Sequence, residues 1–338
     1  MKDLLFKSNS RKDPTVRQFI DGIISKDRTV LARAITLIES NSPKHNKISQ
    51  EILNNILSST GNSIRIAITG APGAGKSTFI EAFGSFLCDI GKNVAVLAID
   101  PSSSRSKGSI LGDKTRMEAL SGQKNAFIRP SPTSGNLGGV GRRTRESILL
   151  CEAAGFDVII IETVGVGQSE IIVRSMTDFF MVLLMPGEGD ELQGLKKGSI
   201  ELADAIVINK SDGELIQKAQ FTRQSYETAV HYIQPATNNW TTPVVTCSAL
   251  KNTGIQEMWK IIEEFKINTL ESGEFSKRRS QQLSEWFDAL LNEAILYQFY
   301  AHSGINHKIE KIKKNILENK ISPTEAVKSI LDIKYFRY

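Results

Sequence analysis

No stretch of this 338-residue chain approaches the roughly 20 consecutive apolar residues that a membrane-spanning helix requires. Residues Met1 to Lys7 lack the continuous apolar core of a signal peptide, so a cytoplasmic location follows by default, with an organellar one left open. Cysteine is scarce: Cys88, Cys151 and Cys247 are odd in number, far apart, and each lies in or beside an apolar run. Buried reduced thiols are therefore expected, in preference to any metal or redox role. The four histidines (His45, His231, His302 and His307) show no metal-ligand spacing and no partner cysteine, which argues against a structural metal site. There is no block of one charge either. The formal net charge is +5, but Lys and Arg alternate with Asp and Glu, which argues against a dedicated nucleic-acid binder.

What is present is a chain of ordinary globular composition, 40% hydrophobic and 23% charged, long enough for one large α/β domain with appendages. Its first part reads as helical: Leu31, Ile35 and Ile38 recur at helical spacing, and Ile48, Ile52, Leu53 and Ile56 form a second amphipathic run. Ser58 to Asn62 breaks that pattern. Short β-rich runs then alternate with helical stretches: Ile64 to Thr69, Val94 to Ile99, Val158 to Ile161, Phe179 to Met185, Ala205 to Ile208 and Val244 to Cys247. This is the texture of a mostly parallel sheet covered on both faces, in which ligands bind outside the carboxyl ends of the strands. After about Asn268 the sheet pattern stops, and Glu271 to Glu274 reads as a linker into a helical tail. Trp286, Leu290, Leu291, Ile295 and Leu296 form one apolar face there, followed by Ile309, Ile312, Ile316 and Leu317. The tail either packs on its own domain or pairs with a second copy. The expected organisation is an N-terminal helical extension (1–60), a central α/β domain (61–268) and a C-terminal helical arm (269–338).

The chemistry begins directly after the first strand. Gly70-Ala71-Pro72-Gly73-Ala74-Gly75-Lys76-Ser77 is a complete phosphate-binding loop, followed by a helix-compatible run from Thr78 to Cys88. Its glycines let backbone N–H groups converge on phosphates at a helix N-terminus, where the macrodipole favours negative charge. Lys76 adds a point charge, and the Ser77 hydroxyl is the expected Mg²⁺ ligand. Thr78 completes the phosphate-contacting set. The fold class that follows is a P-loop NTPase three-layer α/β fold.

Asn209-Lys210-Ser211-Asp212, at the end of the run Ala205 to Ile208, matches the N-K-x-D guanine signature. Its Asp carboxylate accepts from guanine N1–H and N2–H₂, a donor pair that adenine does not present. Ser248-Ala249-Leu250, after the next strand, is placed to give a backbone N–H to the base oxygen. Guanine is therefore expected over adenine. Asp100 and Glu162 follow apolar runs, where an unpaired charge would be expensive, and Asp113 sits in a Gly-Asp-Lys loop. Carboxylates at such positions hold Mg²⁺ directly or through its waters, or else are solvated loop acids. Glu162-Thr163-Val164-Gly165-Val166 resembles the switch of small regulatory GTPases, but Val166 stands where they carry the glutamine that orients water. Slow intrinsic hydrolysis is expected, with the missing group supplied by a partner, by a rearranged loop or by Gln168.

With these motifs in place the chain resembles the MeaB/ArgK family of GTPases, the family of the methylmalonic aciduria type A protein. The resemblance runs through Asp100 to Ser103, Gly108 to Met117, Arg129 to Gly135, Leu137 to Val140, Glu162 to Glu170 and Pro186 to Gly198. It implies a G-protein chaperone of an adenosylcobalamin-dependent acyl-CoA mutase, most often methylmalonyl-CoA mutase, that gates cofactor loading and protects the mutase. It also implies a homodimer through the C-terminal arm and an Mg²⁺ environment of Ser77, Asp100, Asp113 and Glu162. Three switches would run over 108–140, 162–170 and 187–197. Asp190, Gln193 and Lys196 would report the partner to the nucleotide, and Arg116 joins Lys76, Asp113 and Glu162 among the catalytic residues. The loop Gly187 to Glu191 is glycine-rich and acidic, suited to rearrangement. Gly141 departs from the family, which usually carries alanine there. The chain has no Asp-x-His-x-x-Gly motif, so cobalamin is expected on the partner. Rival readings are an amino-acid transport kinase, a nickel-enzyme maturation GTPase, which would need Cys/His relays, and a scaffold that binds GTP without hydrolysing it.

Overall fold

The computed structural model describes residues 14–100, 117–132, 137–163, 169–187 and 197–331, with backbone alone at 99, 100, 131, 132, 137–140, 169 and 197. Helix α1 (Val16–Ile24) starts at Thr15, whose hydroxyl accepts the Gln18 N–H while the Gln18 side chain takes the Thr15 N–H. Asp27 caps α2 (Arg28–Glu39) by accepting from the N–H groups of Thr29 and Val30. In α3 (Pro43–Ile56) proline occupies the first turn, where its missing N–H has no partner to lose. The apolar positions read from the sequence form the buried faces of α2 and α3, and α1 adds Phe19 and Ile23.

Seven strands follow: β1 (Ile64–Gly70), β2 (Val94–Asp100), β3 (Ala126–Pro132), β4 (Val158–Thr163), β5 (Phe179–Leu184), β6 (Ala205–Ile208) and β7 (Val244–Thr246). Their order is β3-β2-β4-β1-β5-β6-β7, and every pair is parallel. Six of them are the apolar runs expected from the sequence. β3 was not among those runs, since only Ala126-Phe127-Ile128 is apolar before Arg129, Pro130 and Pro132. It lies at the sheet edge, where a missing proline N–H breaks no inner ladder.

Alternation along the strands builds two cores. Ile66, Ile68, Ile160 and Met181 meet α4 (Lys76–Asp89), α5 (Glu118–Ser121) and α10 (Ile255–Glu271) through Phe79, Phe83, Leu120, Met258 and Phe265. Ala67, Ile159, Ile161 and Val182 face the other way. They pack with α1–α3, α6 (Leu137–Ala153), α7 (Ser169–Arg174), α8 (Lys197–Glu201) and α9 (Ile216–His231). The result is three layers. All three cysteines are free and buried, and burial pushes the Cys88 thiol up to about 11 and the Cys247 thiol up to about 12.

Buried ion pairs fasten the amino ends of the strands. Arg65 grips Glu152 with two bonds of 2.9 Å, and Asp178 accepts from the Arg65 N–H at 2.8 Å. Arg279 donates to both Asp178 oxygens, at 2.8 and 2.7 Å, and to the Ser63 carbonyl at 2.7 Å. Arg174 chelates Asp204 in the same way. Such charges are tolerated inside only because each is paired and hydrogen-bonded.

The chain divides into two compact units, Met1–Arg279 and Ser280–Tyr338. Helix α11 (Glu274–Ala301) begins in the first unit, and α12 (Ile305–Leu317) and α13 (Pro323–Leu331) belong to the second. In the second unit Ile305 and Ala326 are buried, whereas Leu283, Phe287, Leu291 and Ile295 recur every fourth residue of α11 and are exposed. No helix among the described residues is long and apolar enough to cross a membrane.

Candidate functional site

The carboxyl ends of β1, β4, β5 and β6 converge on the loop between β1 and α4. Gly70 admits the neighbouring strand, because a Cβ there would lie 2.3 Å from the Leu183 carbonyl oxygen. Gly75, the N-cap of α4, has φ of 84°, and a Cβ on it would sit 2.7 Å from Asn209 Nδ2. The loop thus turns tightly and ends with the N–H groups of α4 directed outward, an arrangement suited to phosphate. Lys76 Nζ donates to the carbonyl oxygens of Gly70 at 2.8 Å and Ala71 at 3.2 Å. Burial lowers its pKa, and the charge of Glu162 opposes that shift. Ser77 Oγ donates to Glu162 Oε1 at 3.1 Å, so the end of β4 reaches the first turn of α4.

One amide braces the loop after β7 against the phosphate loop. Asn209 Nδ2 donates to the Ala74 carbonyl at 2.9 Å, while its Oδ1 accepts from the Ala249 N–H at 3.1 Å. The Cys247 thiol also donates to Oδ1, at 3.4 Å. Lys210, held at φ of 60°, extends back to Met185 Sδ at 3.7 Å. The Ser248 hydroxyl donates to Asp212 Oδ2 and accepts the Lys251 N–H at 3.2 Å, which fixes the carboxylate that would read a base. Leu250 is exposed at the rim.

A phosphate loop and an Asn-Lys-x-Asp strand end thus share one site. Residues 31–303 match the family model described as "Methylmalonyl Co-A mutase-associated GTPase MeaB". The chain belongs to the MeaB family. It is 48% identical to a putative GTPase of Caulobacter vibrioides over 91% of this chain and 94% of the relative. It is 44% identical to the GTPase ArgK of Escherichia coli, over 96% and 98%. With the mitochondrial methylmalonic aciduria type A homolog of Mus musculus it shares 43% identity, over 98% and 82%. The crystal structure of an LAO/AO transport system kinase superposes with a TM-score of 0.75 at 38% identity, covering 93% of this chain and 96% of that one. Membership makes the chain a GTPase on a P-loop NTPase fold.

The residues expected from the sequence divide clearly in this MeaB-family GTPase. Gly70 to Thr78, Glu162, Asn209, Lys210, Asp212 and Ser248 to Leu250 all lie at the carboxyl edge of the sheet. The side chain of Asp100 and all of Asp113, Arg116, Val166, Gln168, Asp190, Gln193 and Lys196 fall outside the described residues. Within Ser248-Ala249-Leu250, the run expected to give a backbone N–H to the base, the Ala249 N–H is taken by Asn209. At Gly141 an added Cβ would lie 3.0 Å from Ile172 Cγ2, so α6 and α7 approach closely there. Thr69 and Ser199, which lie behind the site, carry no signal in the sequence: each is an ordinary hydroxyl there, and only the fold gives it a partner.

Proposed function

We propose that this protein is a Mg²⁺-dependent GTPase that attends an adenosylcobalamin-dependent acyl-CoA mutase in the cytoplasm, gating cofactor loading and protecting the mutase. The observation that carries the reading is the match of residues 31–303 to a family described as mutase-associated. The similarity to the methylmalonic aciduria type A homolog supports it further. Methylmalonyl-CoA mutase is the partner this reading favours, with cobalamin held by the mutase. Mg²⁺ fits the donors present, because Ser77 and Glu162 bring a hydroxyl and a carboxylate oxygen together at 3.1 Å, the hard oxygen set that ion prefers. Bound there with Asp100 and Asp113, it would neutralise charge on the β- and γ-phosphates. Lys76 then holds the phosphates, and Asp113, Arg116, Asp190, Gln193 and Lys196 complete the catalytic set. The exposed stripe Leu283, Phe287, Leu291 and Ile295 supports dimerisation of the arm with a second copy.

The likeness to a transport system kinase at 38% identity favours a second reading, a role with an amino-acid transporter. One experiment separates the two. Protein loaded with a non-hydrolysable GTP analogue is used to capture partners from its own cells, and phosphate release is then measured with and without the captured protein. Recovery of a cobalamin-dependent mutase that accelerates release is expected. Recovery of a transporter in its place overturns the proposal, and no release under either condition would leave a GTP-responsive scaffold.

A further inference from the structure

Four buried polar side chains lie behind the phosphate site, and none of them is among the residues expected to touch nucleotide or Mg²⁺. Thr163 Oγ1 donates to Thr69 Oγ1 at 2.9 Å, and Thr69 Oγ1 donates to Glu170 Oε1 at 3.2 Å. The Ser199 hydroxyl donates to the other oxygen of the same carboxylate, Glu170 Oε2. Thr69 and Thr163 are 0% and 1% exposed, Ser199 5% and Glu170 9%. A carboxylate this far from water persists only where its oxygens are hydrogen-bonded, and here each has its own hydroxyl.

The placement of the cluster gives it meaning. Successive residues of a strand point to opposite faces of the sheet. Thr163 follows Glu162, which accepts from Ser77, and Thr69 precedes Gly70, whose carbonyl receives Lys76. The shorter Lys76 contact, to Gly70, and the Ser77 contact, to Glu162, are therefore each one residue away from a member of the cluster. Glu170 and Ser199, in turn, stand in the first turns of α7 and α8. One carboxylate thus joins the ends of β1 and β4 on one side to two helix starts on the other.

We propose that Glu170 is a positioning residue for GTP hydrolysis. By accepting from Thr69 and Ser199 together it sets the ends of β1 and β4 against α7 and α8, so that Lys76 and Ser77 take up their phosphate-facing positions as one unit. The proposal rests on the GTPase activity of the family and is independent of which partner the protein serves. A cluster that only packed helices on the sheet would influence stability and leave no interaction between its two arms in the rate of hydrolysis.

The test is a double-mutant cycle in the full chain. Single-turnover hydrolysis of pre-bound GTP and affinity for GDP are measured in Thr69→Val, Ser199→Ala and the double variant, each also in a Glu170→Gln background. Among the described contacts Thr69 and Ser199 meet only through Glu170. Each single substitution is expected to slow hydrolysis severalfold while GDP affinity holds, and the double variant to be no slower than the worse single one. The resulting non-additivity should be about threefold or more and should vanish with Glu170→Gln. Effects that simply multiply, or hydrolysis that falls only in step with GDP affinity, overturn the proposal. If Glu170→Gln does not fold, the cycle in the wild-type background decides alone.

Discussion

Replacing Asn209 with alanine should loosen both halves of the nucleotide site at once. The side chain is 1% exposed and gives its amide hydrogen to the Ala74 carbonyl while taking the Ala249 N–H. Both partners belong to buried residues, at 0% and 5% exposure, so truncation deprives two interior polar groups of their partner. Each such loss is worth about 1–3 kcal/mol, which places the combined effect at about 2–6 kcal/mol. That is a large share of the roughly 5–15 kcal/mol that holds a domain folded. Nucleotide affinity should fall by a comparable free energy, because Ala74 belongs to the phosphate loop and Ala249 to the loop after β7 proposed to meet the base. The assay pairs urea unfolding of the nucleotide-free protein with titration of fluorescent GDP. With a urea slope of about 3 kcal/mol/M, a midpoint lowered by about 1 M is expected. Asn209→Asp should do no better, since a second carboxylate oxygen would face the Ala74 carbonyl. A midpoint within about 0.2 M of wild type, with GDP affinity unchanged, would refute the reasoning.

Two further outcomes follow from the same geometry. Asp212→Asn should lower GTP affinity about a hundredfold, since two hydrogen bonds to a charged acceptor are lost at about 1.5 kcal/mol each. Xanthosine triphosphate, which presents a carbonyl where guanine has its amine, should regain that affinity in direct titration, and a variant blind to this exchange would show that Asp212 does not read the base. Burial holds the Lys76 pKa below its ordinary value, so the unfolded chain binds more protons from that lowered value up to the ordinary one. Stability of the nucleotide-free protein should therefore rise with pH across that alkaline interval. Lys76→Met should flatten this rise in urea unfolding while abolishing GTP binding, and an unaltered pH profile would remove Lys76 from the account.

The phosphate loop and the guanine motif were legible because each is a contiguous run of residues whose chemistry depends on backbone shape. The inner strands were legible for a similar reason: β4 and β5 are buried on both faces and read as unbroken apolar runs. β3 escaped because an edge strand tolerates Pro130, Pro132 and Arg129, so its sequence carries no strand pattern. Asp212 was legible, but the Ser248 hydroxyl that steadies it was not. The Thr69–Glu170 contact joins residues 101 positions apart, and Arg279 meets Asp178 across the same separation. Pairs of that kind depend on strand order, which no local periodicity encodes.

The grip of Arg279 on Asp178 also sets where the polypeptide can be cut. A fragment ending near Asn268, where the strand pattern stops, would keep every strand and the whole phosphate loop. It would nonetheless lose the guanidinium that neutralises Asp178, whose side chain is only 1% exposed. Removing one partner of a buried ion pair costs about 3–5 kcal/mol, enough to leave such a fragment close to unfolding. The smallest autonomous piece of this GTPase therefore carries the root of α11 with it, and proteolysis that spares the catalytic core should trim no closer than residue 279.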